Sequence, residues 1–563
     1  MIAMKSDCFA TFNAYGAPMA EKGFRISKTP VWKKLKEHAE EMRRPEYHLK
    51  HLVKQQDRLS RFSLQNIDFF YDFSRQRVTN KTMDLLFELA ETADVATKYH
   101  NMVEGCKVNV TENRAALHTA ARSFPGQSLM VDGVDVMHEI GSVRERIRRF
   151  TKEVHTGILR GSTGKHFRHV VIIGIGGSYL GTEFVSQALF AFADKGISLH
   201  FLSNVDSHNF ETVKRQIEPE ETLCIIISKS FTTVETMANA MMMKTYLKEC
   251  GLDPAQHTVT VTSKGSPGDI QGECIETFHM FDYIGGRFSV TSAVGGVPLS
   301  LALGYERFER FLDGAREMDI HTKYAPVQEN IPLVSALIGI WNNNFLGYQA
   351  QGIIPYASPL AKLAPHIQQL NMESNGKSVT INNVELDASS GVIIFGEPGT
   401  NAQHSFFQLA HQGHPFPIDF IGMVSPQYEQ GDCKPHGVSN HQELWANLVS
   451  QATALAIGKD SKDKTRFFQG NRPSSTLLLN DLSPANIGRL LSYYEAQTVY
   501  KAFIWDINPF DQFGVELGKT IANDLRREIV TKNGNPEYRF SQTDEITRFY
   551  LETLFHGKLK DQQ

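Results

Sequence analysis

Two short runs, roughly fifty residues apart, offer the groups that hold a phosphate. Gly174-Ile175-Gly176-Gly177-Ser178 closes one apolar stretch, and Ser228-Lys229-Ser230-Phe231-Thr232-Thr233 closes another. Glycine lets backbone approach a ligand closely. Ser178, Ser228, Ser230 and Thr233 add hydroxyls, and Lys229 adds a positive charge. Hydroxyls together with free backbone N–H groups at a strand-to-helix turn hold a dianion without a metal ion. The glycine spacing is not a dinucleotide fingerprint, because Tyr179 stands where GxGxxG needs its third glycine, and no Gly-Lys-Ser/Thr follows as in a Walker loop. Each run alone has a plainer reading: a tight turn for the glycines and a helix cap for Thr232.

Four further runs carry acid, base or fixed charge. They are Gly285-Gly286-Arg287-Phe288-Ser289, Gln369-Leu370-Asn371-Met372-Glu373-Ser374-Asn375-Gly376-Lys377, Gly399-Thr400-Asn401-Ala402-Gln403-His404 and Asp511-Gln512-Phe513-Gly514-Val515-Glu516-Leu517-Gly518-Lys519. Taken singly, each has an ordinary structural explanation. Arg287 fits a surface ion pair, Glu373 a helix cap and His404 a satisfied polar residue, while Lys519 fits a pairing with Glu516 one turn earlier.

The elements that must position these runs are legible from periodicity. Val170 to Ile173, Leu199 to Leu202, Leu223 to Ile227 and Thr258 to Thr262 read as strands. Gly181 to Phe192, Phe210 to Gln216 and a run from Thr232-Thr233-Val234-Glu235, read as a capping box, through Met243 read as the intervening helices. Strands that alternate with helices are parallel, and uninterrupted apolar strands are buried on both faces. Both phosphate runs then fall at the carboxyl edge of one sheet, where such folds bind ligands. A second unit repeats the theme: a helix from Pro332 to Phe345, strands at Gly352 to Pro355, Val392 to Phe395 and Pro417 to Met423, and two closing helices from Ser483 and from near Asp511. The second closing helix carries Ile521, Leu525 and Ile529 on one face. Residues 459–482 are polar and read as a long surface excursion. Before the first sheet, Thr29 to about Asp57 alternates at helical spacing, with Thr29 as a cap and Pro30 in the first turn.

The expected fold is α/β, with two doubly wound units of parallel sheet wrapped by N- and C-terminal helices. The expected division is 1–25 as an N-terminal extension, 26–119 as a helical region packed on the core, 120–300 and 301–530 as the two α/β domains, and 531–563 as a C-terminal tail. Composition bounds the class further. The 563 residues exceed what one core usually supports, and 41% apolar with 21% charged residues is ordinary for a soluble globular protein. A net charge of -4 with only short basic runs gives no case for nucleic acid. The six cysteines stand in no metal-ligand spacing, which fits a reducing compartment. No apolar stretch of about 20 residues predicts a membrane span.

Taken together, in this order, the runs closely resemble the glucose-6-phosphate isomerase family. Glu112-Asn113-Arg114-Ala115 and Gly470-Asn471-Arg472-Pro473 also look like family segments, and the resemblance covers roughly residues 29–555. Departures are Tyr179 where the family usually has Asp, Thr182 for Pro, Ser230 for Thr, and Asn371 for an acidic residue. The resemblance implies two sugar-isomerase (SIS-type) domains. It implies reversible isomerisation of D-glucose 6-phosphate and D-fructose 6-phosphate through ring opening and a cis-enediol(ate), in glycolysis and gluconeogenesis. It implies Glu373 as the base that moves a proton between C2 and C1, Arg287 as the stabiliser of the oxyanion, and His404 with Lys519 in ring opening. Gln369 and Gln512 would bind sugar hydroxyls. Gly177, Ser178, Ser228, Lys229, Ser230 and Thr233 would hold the 6-phosphate. It implies no cofactor and no metal, a cytoplasmic homodimer, and a histidine supplied across the subunit interface.

Two other readings use the same fold. A regulatory phosphosugar-binding protein would keep the phosphate loops and lose the acid–base set, but Glu373, Arg287, His404 and Lys519 are all present. An isomerase of another hexose phosphate, such as mannose 6-phosphate, would differ only around the C2 hydroxyl.

Overall fold

Apolar β-branched runs bounded by glycine and polar turns set the sheets of this protein. In its computed structural model residues 25–124, 126–428, 437–540 and 543–559 are described. The first 24 residues, nearly all of the expected extension, lie outside that description. Residues Met1–Phe510 form one compact unit and Asp511–Gln563 a second.

The strands that matter here, in chain order, are β1 (Ser63–Asn66), β2 (Phe69–Asp72), β3 (His169–Ile173), β4 (Ser198–Leu202), β5 (Thr222–Ile227), β6 (Thr258–Ser263), β7 (Glu276–Met280), β8 (Ala350–Pro355), β9 (Ile393–Phe395), β10 (Ile418–Met423) and β11 (Ser474–Leu479). One sheet has the order β4-β3-β5-β6-β7, parallel throughout. Its centre is buried on both faces, as the unbroken apolar runs predict. Val170 and Ile172 of β3 join one core cluster with Leu223 and Ile225, while Val171 and Ile173 join another with Cys224 and Ile226. Each such side chain contributes roughly 1.5–3 kcal/mol by leaving water. Helix Val136–His155 packs on the first face through Val143, Ile147 and Phe150, and helix Val234–Glu249 on the second through Ala240, Met243 and Leu247.

The second sheet has the order β1-β2-β11-β10-β8-β9. Its four later strands are parallel, whereas β2 runs antiparallel to both of its neighbours, β11 and the edge strand β1. Two expectations need correction here. The polar excursion read over 459–482 contains β11, a strand buried between β2 and β10. Its Ser474, Ser475 and Thr476 read as loop, yet Ser475 is buried and takes a hydrogen bond from the Gln76 amide at 2.9 Å. The N-terminal region is likewise not helical throughout: it supplies β1 and β2.

Helix Pro30–Glu41 does bury Val31, Leu35 and His38 on one face, with Pro30 in its first turn. Thr29 sits at the cap position, but its hydroxyl bonds back to the Ile26 carbonyl at 2.7 Å and does not cap the helix. Ser483 does cap helix Pro484–Trp505. A buried ion triad ties that helix to its surroundings: Arg122 reaches Asp319 and Glu495, each at 2.5 Å. Burial pushes the Glu495 carboxyl up to about 7 against the opposing pull of Arg122.

The second unit holds helices Glu516–Gly534 and Glu545–His556. Phe540 packs between Tyr538 and Phe555, and the Tyr538 hydroxyl donates to Glu528 at 2.7 Å. No residue of Glu516–Gly534 is buried, and Ile521 is half exposed.

Candidate active site

The glycine run begins where β3 ends. Gly176–Ser178 forms a single tight turn, and helix Leu180–Ala188 follows. Gly176 has φ +57°, and a Cβ there would lie 3.1 Å from the Gln369 amide nitrogen. Gly177 has a different reason to be glycine. A Cβ on it would lie 2.2 Å from the Gly286 carbonyl carbon and 2.7 Å from the Arg287 nitrogen. The Ser289 hydroxyl donates to the Gly177 carbonyl at 3.3 Å. Backbone thus lies directly on backbone between the glycine run and the arginine run.

The hydroxyl run begins where β5, the neighbour of β3, ends. Buried Ser228 accepts from the Phe231 N–H at 3.1 Å and donates to Thr233 at 3.4 Å. Ser230 pairs with Thr232 at 2.7 Å. Phe231 takes φ +53°, which folds the run into a tight hydroxyl-lined turn. Helix Val234–Glu249 starts after Thr233, whose side chain makes no cap bond, so the capping box read from Thr232 to Glu235 does not form. The Thr233 hydroxyl is occupied by Ser228 instead. Lys229 points its ammonium at Asp282, 3.1 Å from the carbonyl and 3.4 Å from the carboxylate. Burial lowers its pKa and Asp282 opposes that.

The segment that carries Glu373 is a wide-turned helix, Gln368–Glu373, continuing helix Leu363–Ile367. Such i→i+5 turns are rare and concentrate at functional sites. Gln369 and Glu373 stand four positions apart on this segment. Gln369 keeps a buried carbonyl oxygen without a hydrogen-bond partner. Glu373 is half-buried and places Oε2 3.3 Å from Arg287 Nη1. Lys377 closes the turn by donating to the Glu373 carbonyl at 2.9 Å. Arg287 is 3% exposed, donates from Nε to Ser374 Oγ at 2.7 Å, and bonds the Pro509 carbonyl from Nη2.

His404 ends the turn Asn401–His404 and is exposed, with no hydrogen bond to Glu373 or Arg287 among the described residues. Its neighbour Gln403 donates to the Tyr356 hydroxyl at 2.6 Å. Lys519 and Gln512 belong to the second unit: Lys519 lies on the exposed helix Glu516–Gly534, and Gln512 precedes the turn Phe513–Val515. The first unit therefore gathers Gly177 with Arg287, Glu373 and Gln369, and Ser228 with Thr233.

Two residues gained no role from sequence. Ser374 follows Glu373 directly in the sequence, but nothing in that run tells which of its polar side chains turns toward Arg287. His366 is 1% exposed, stacks on Phe184 at 5.7 Å, and has no partner for either ring nitrogen. Burial pushes its pKa down to about 4. Among the described residues no group of three or more His, Cys, Asp or Glu is placed to hold a metal ion, and no helix is long and apolar enough to cross a membrane.

Comparison with known proteins gives a consistent result. The family model for phosphoglucose isomerase matches residues 72–545. The chain is 61% identical over 543 residues to the glucose-6-phosphate isomerase of Desulfosudis oleivorans, spanning 96% of this chain and 99% of that one. It is 42% identical over 550 residues to the cytosolic A glucose-6-phosphate isomerase of Oryza sativa subsp. japonica, spanning 93% and 96%. The crystal structure of a glucose-6-phosphate isomerase from Chlamydia trachomatis superposes with a TM-score of 0.86 at 35% identity, covering 95% of this chain and 100% of that one.

Proposed function

Because the chain belongs to the phosphoglucose isomerase family and interconverts glucose 6-phosphate and fructose 6-phosphate, we propose that Glu373 is the base that carries the proton between the two carbons. The observation that carries this reading is the 3.3 Å approach of Arg287 to its carboxylate. As Glu373 takes the C2 proton, its negative charge passes to the sugar as an enediolate oxyanion. The buried guanidinium stays paired throughout, first with the carboxylate and then with the oxyanion. A permanently charged, water-excluded donor suits that task. The same carboxyl then returns the proton to C1.

The 6-phosphate is held by Ser178, Ser228, Ser230 and Thr233 with the Gly177 backbone. Lys229 adds charge at the base of its loop while Asp282 fixes its ammonium. Gln369 and Gln512 orient sugar hydroxyls. His404 and Lys519 exchange protons at the ring oxygen and anomeric hydroxyl to open the ring. An exposed His404 without a bond to Glu373 supports its delivery to the site of a second copy, and hence a homodimer. Plant relatives named as cytosolic support a cytoplasmic setting. Residues 120–300 then act as the phosphate-holding domain and 301–530 as the domain that presents base and histidine, between an N-terminal region (26–119) and a C-terminal tail (531–563).

The test is Glu373→Gln. Turnover should fall at least about a hundredfold with KM little changed, as for a lost general base. Solvent hydrogen should also cease to enter C1 of the product. Near-normal turnover would remove Glu373 from the base role.

A further inference from the structure

The Arg287 guanidinium is held from all three of its nitrogens. Nη2 meets the Pro509 carbonyl, Nε meets Ser374 Oγ at 2.7 Å, and Nη1 faces Glu373 Oε2 at 3.3 Å. A guanidinium is a rigid planar fork, so anchoring two of its nitrogens aims the third. Ser374 takes the Nε proton, and Ser374 is the residue immediately after the base, wholly buried at 0% exposure. The hydroxyl therefore ties the guanidinium to the same turn of backbone that carries the carboxylate.

We propose that Ser374 is a positioning residue for the isomerisation: it acts through Arg287, holding that cation where the oxyanion develops, without touching the sugar phosphate. This rests on the reading of Arg287 as the oxyanion's stabiliser. Its contribution falls on the transition state, because the oxyanion to which Arg287 passes from the Glu373 carboxylate develops only there. Removing the hydroxyl leaves the phosphate loops, at Ser178 and at Ser228 to Thr233, untouched.

The experiment compares Ser374→Ala, Arg287→Lys and the double variant in both reaction directions, with thermal unfolding to confirm that each is folded. Ser374→Ala should lower kcat about ten- to a hundredfold and leave KM for glucose 6-phosphate within about threefold. An enediolate analogue with an anionic hydroxamate at the C1–C2 end should lose affinity in parallel, while a 6-phosphorylated sugar alcohol should bind as before. In the Arg287→Lys background, Ser374→Ala should cost less than about threefold more, because the bond it removes is already gone. Additive losses in the double variant, or equal weakening of the analogue and the sugar alcohol phosphate, would overturn the proposal. If instead Arg287→Lys turns over normally, it is the role of Arg287 that fails.

Discussion

Replacing Gly177 by alanine tests the contact between the glycine loop, which we propose holds the phosphate, and the arginine loop. The added Cβ would stand 2.2 Å from the Gly286 carbonyl carbon, 2.5 Å from its oxygen and 2.7 Å from the Arg287 nitrogen. All three are backbone atoms, so no side chain can swing aside. Ordinary contact begins at 3.4 Å, so the two loops must part by 3.4 − 2.2 = 1.2 Å. Gly177 is not among the glycines with positive φ, so the effect is purely one of space. Overpacking of this kind costs about 1–3 kcal/mol of stability. On the proposed reading, this displaces the phosphate by about 1 Å relative to Arg287 and Glu373 and should cost on the order of a hundredfold in kcat/KM. Gly285→Ala is the matched control, since a Cβ there meets only Phe288 at 3.7 Å. Turnover is followed by coupling fructose 6-phosphate consumption to oxidation of the glucose 6-phosphate formed. The reasoning is refuted if Gly177→Ala keeps kcat/KM within about threefold of the parent, or if Gly285→Ala loses as much.

Burial holds the His366 pKa at about 4, below its ordinary 6.5. The unfolded chain then binds that proton more tightly, so stability falls as pH drops from about 6.5 toward about 4, by about 3 kcal/mol in all. His366→Phe keeps the ring stacked on Phe184 and should flatten that acid-side loss, read as the urea midpoint at several pH values; equal slopes for parent and variant would contradict it. Mixing inactive Glu373→Gln chains with inactive His404→Leu chains, unfolded and refolded together, should regenerate activity, because in the proposed dimer, with His404 supplied across it, one of the two mixed sites has both groups. No recovery, in a preparation shown to contain mixed dimers, would place His404 and Glu373 on the same chain's site.

Much of the frame was legible because burial leaves a strong trace. The strands β3 and β5 are short runs dominated by unbroken apolar residues, and β6 alternates threonine with valine, a β-branched run that also reads as strand. The Ser483-Pro484 start of the long buried helix was equally plain, since both residues have a physical reason to stand there. What escaped was structure stabilised by distant partners. The hydroxyls of β11 are satisfied in part by Gln76, some 400 residues earlier, and a sequence window sees only polarity. Strand β7 mixes Glu276 and His279 with Phe278 and Met280, because its place at the sheet edge leaves it half-wet. Within the site, residue types pointed to phosphate and acid–base chemistry. Which hydroxyl meets which partner was not legible: Thr233 bonded to Ser228, Lys229 turned to Asp282, and Ser374 on Arg287 all depend on loop backbone that no periodicity encodes.

Strand β2 pairs along Phe69 to Asp72 with Leu479 to Thr476 of β11. Those partners are about 400 residues apart in the chain. A ribosome adding about 5–20 residues per second separates their appearance by roughly 20–80 s. During that wait Phe69 and Tyr71, both buried in the finished protein, have only β1 to pair with. The first sheet, whose strands all lie within 169–280, is complete long before. Newly made chains therefore pass through a state with one sheet assembled and an unpaired sticky edge on the other, and it is in this interval that a folding helper has something to hold.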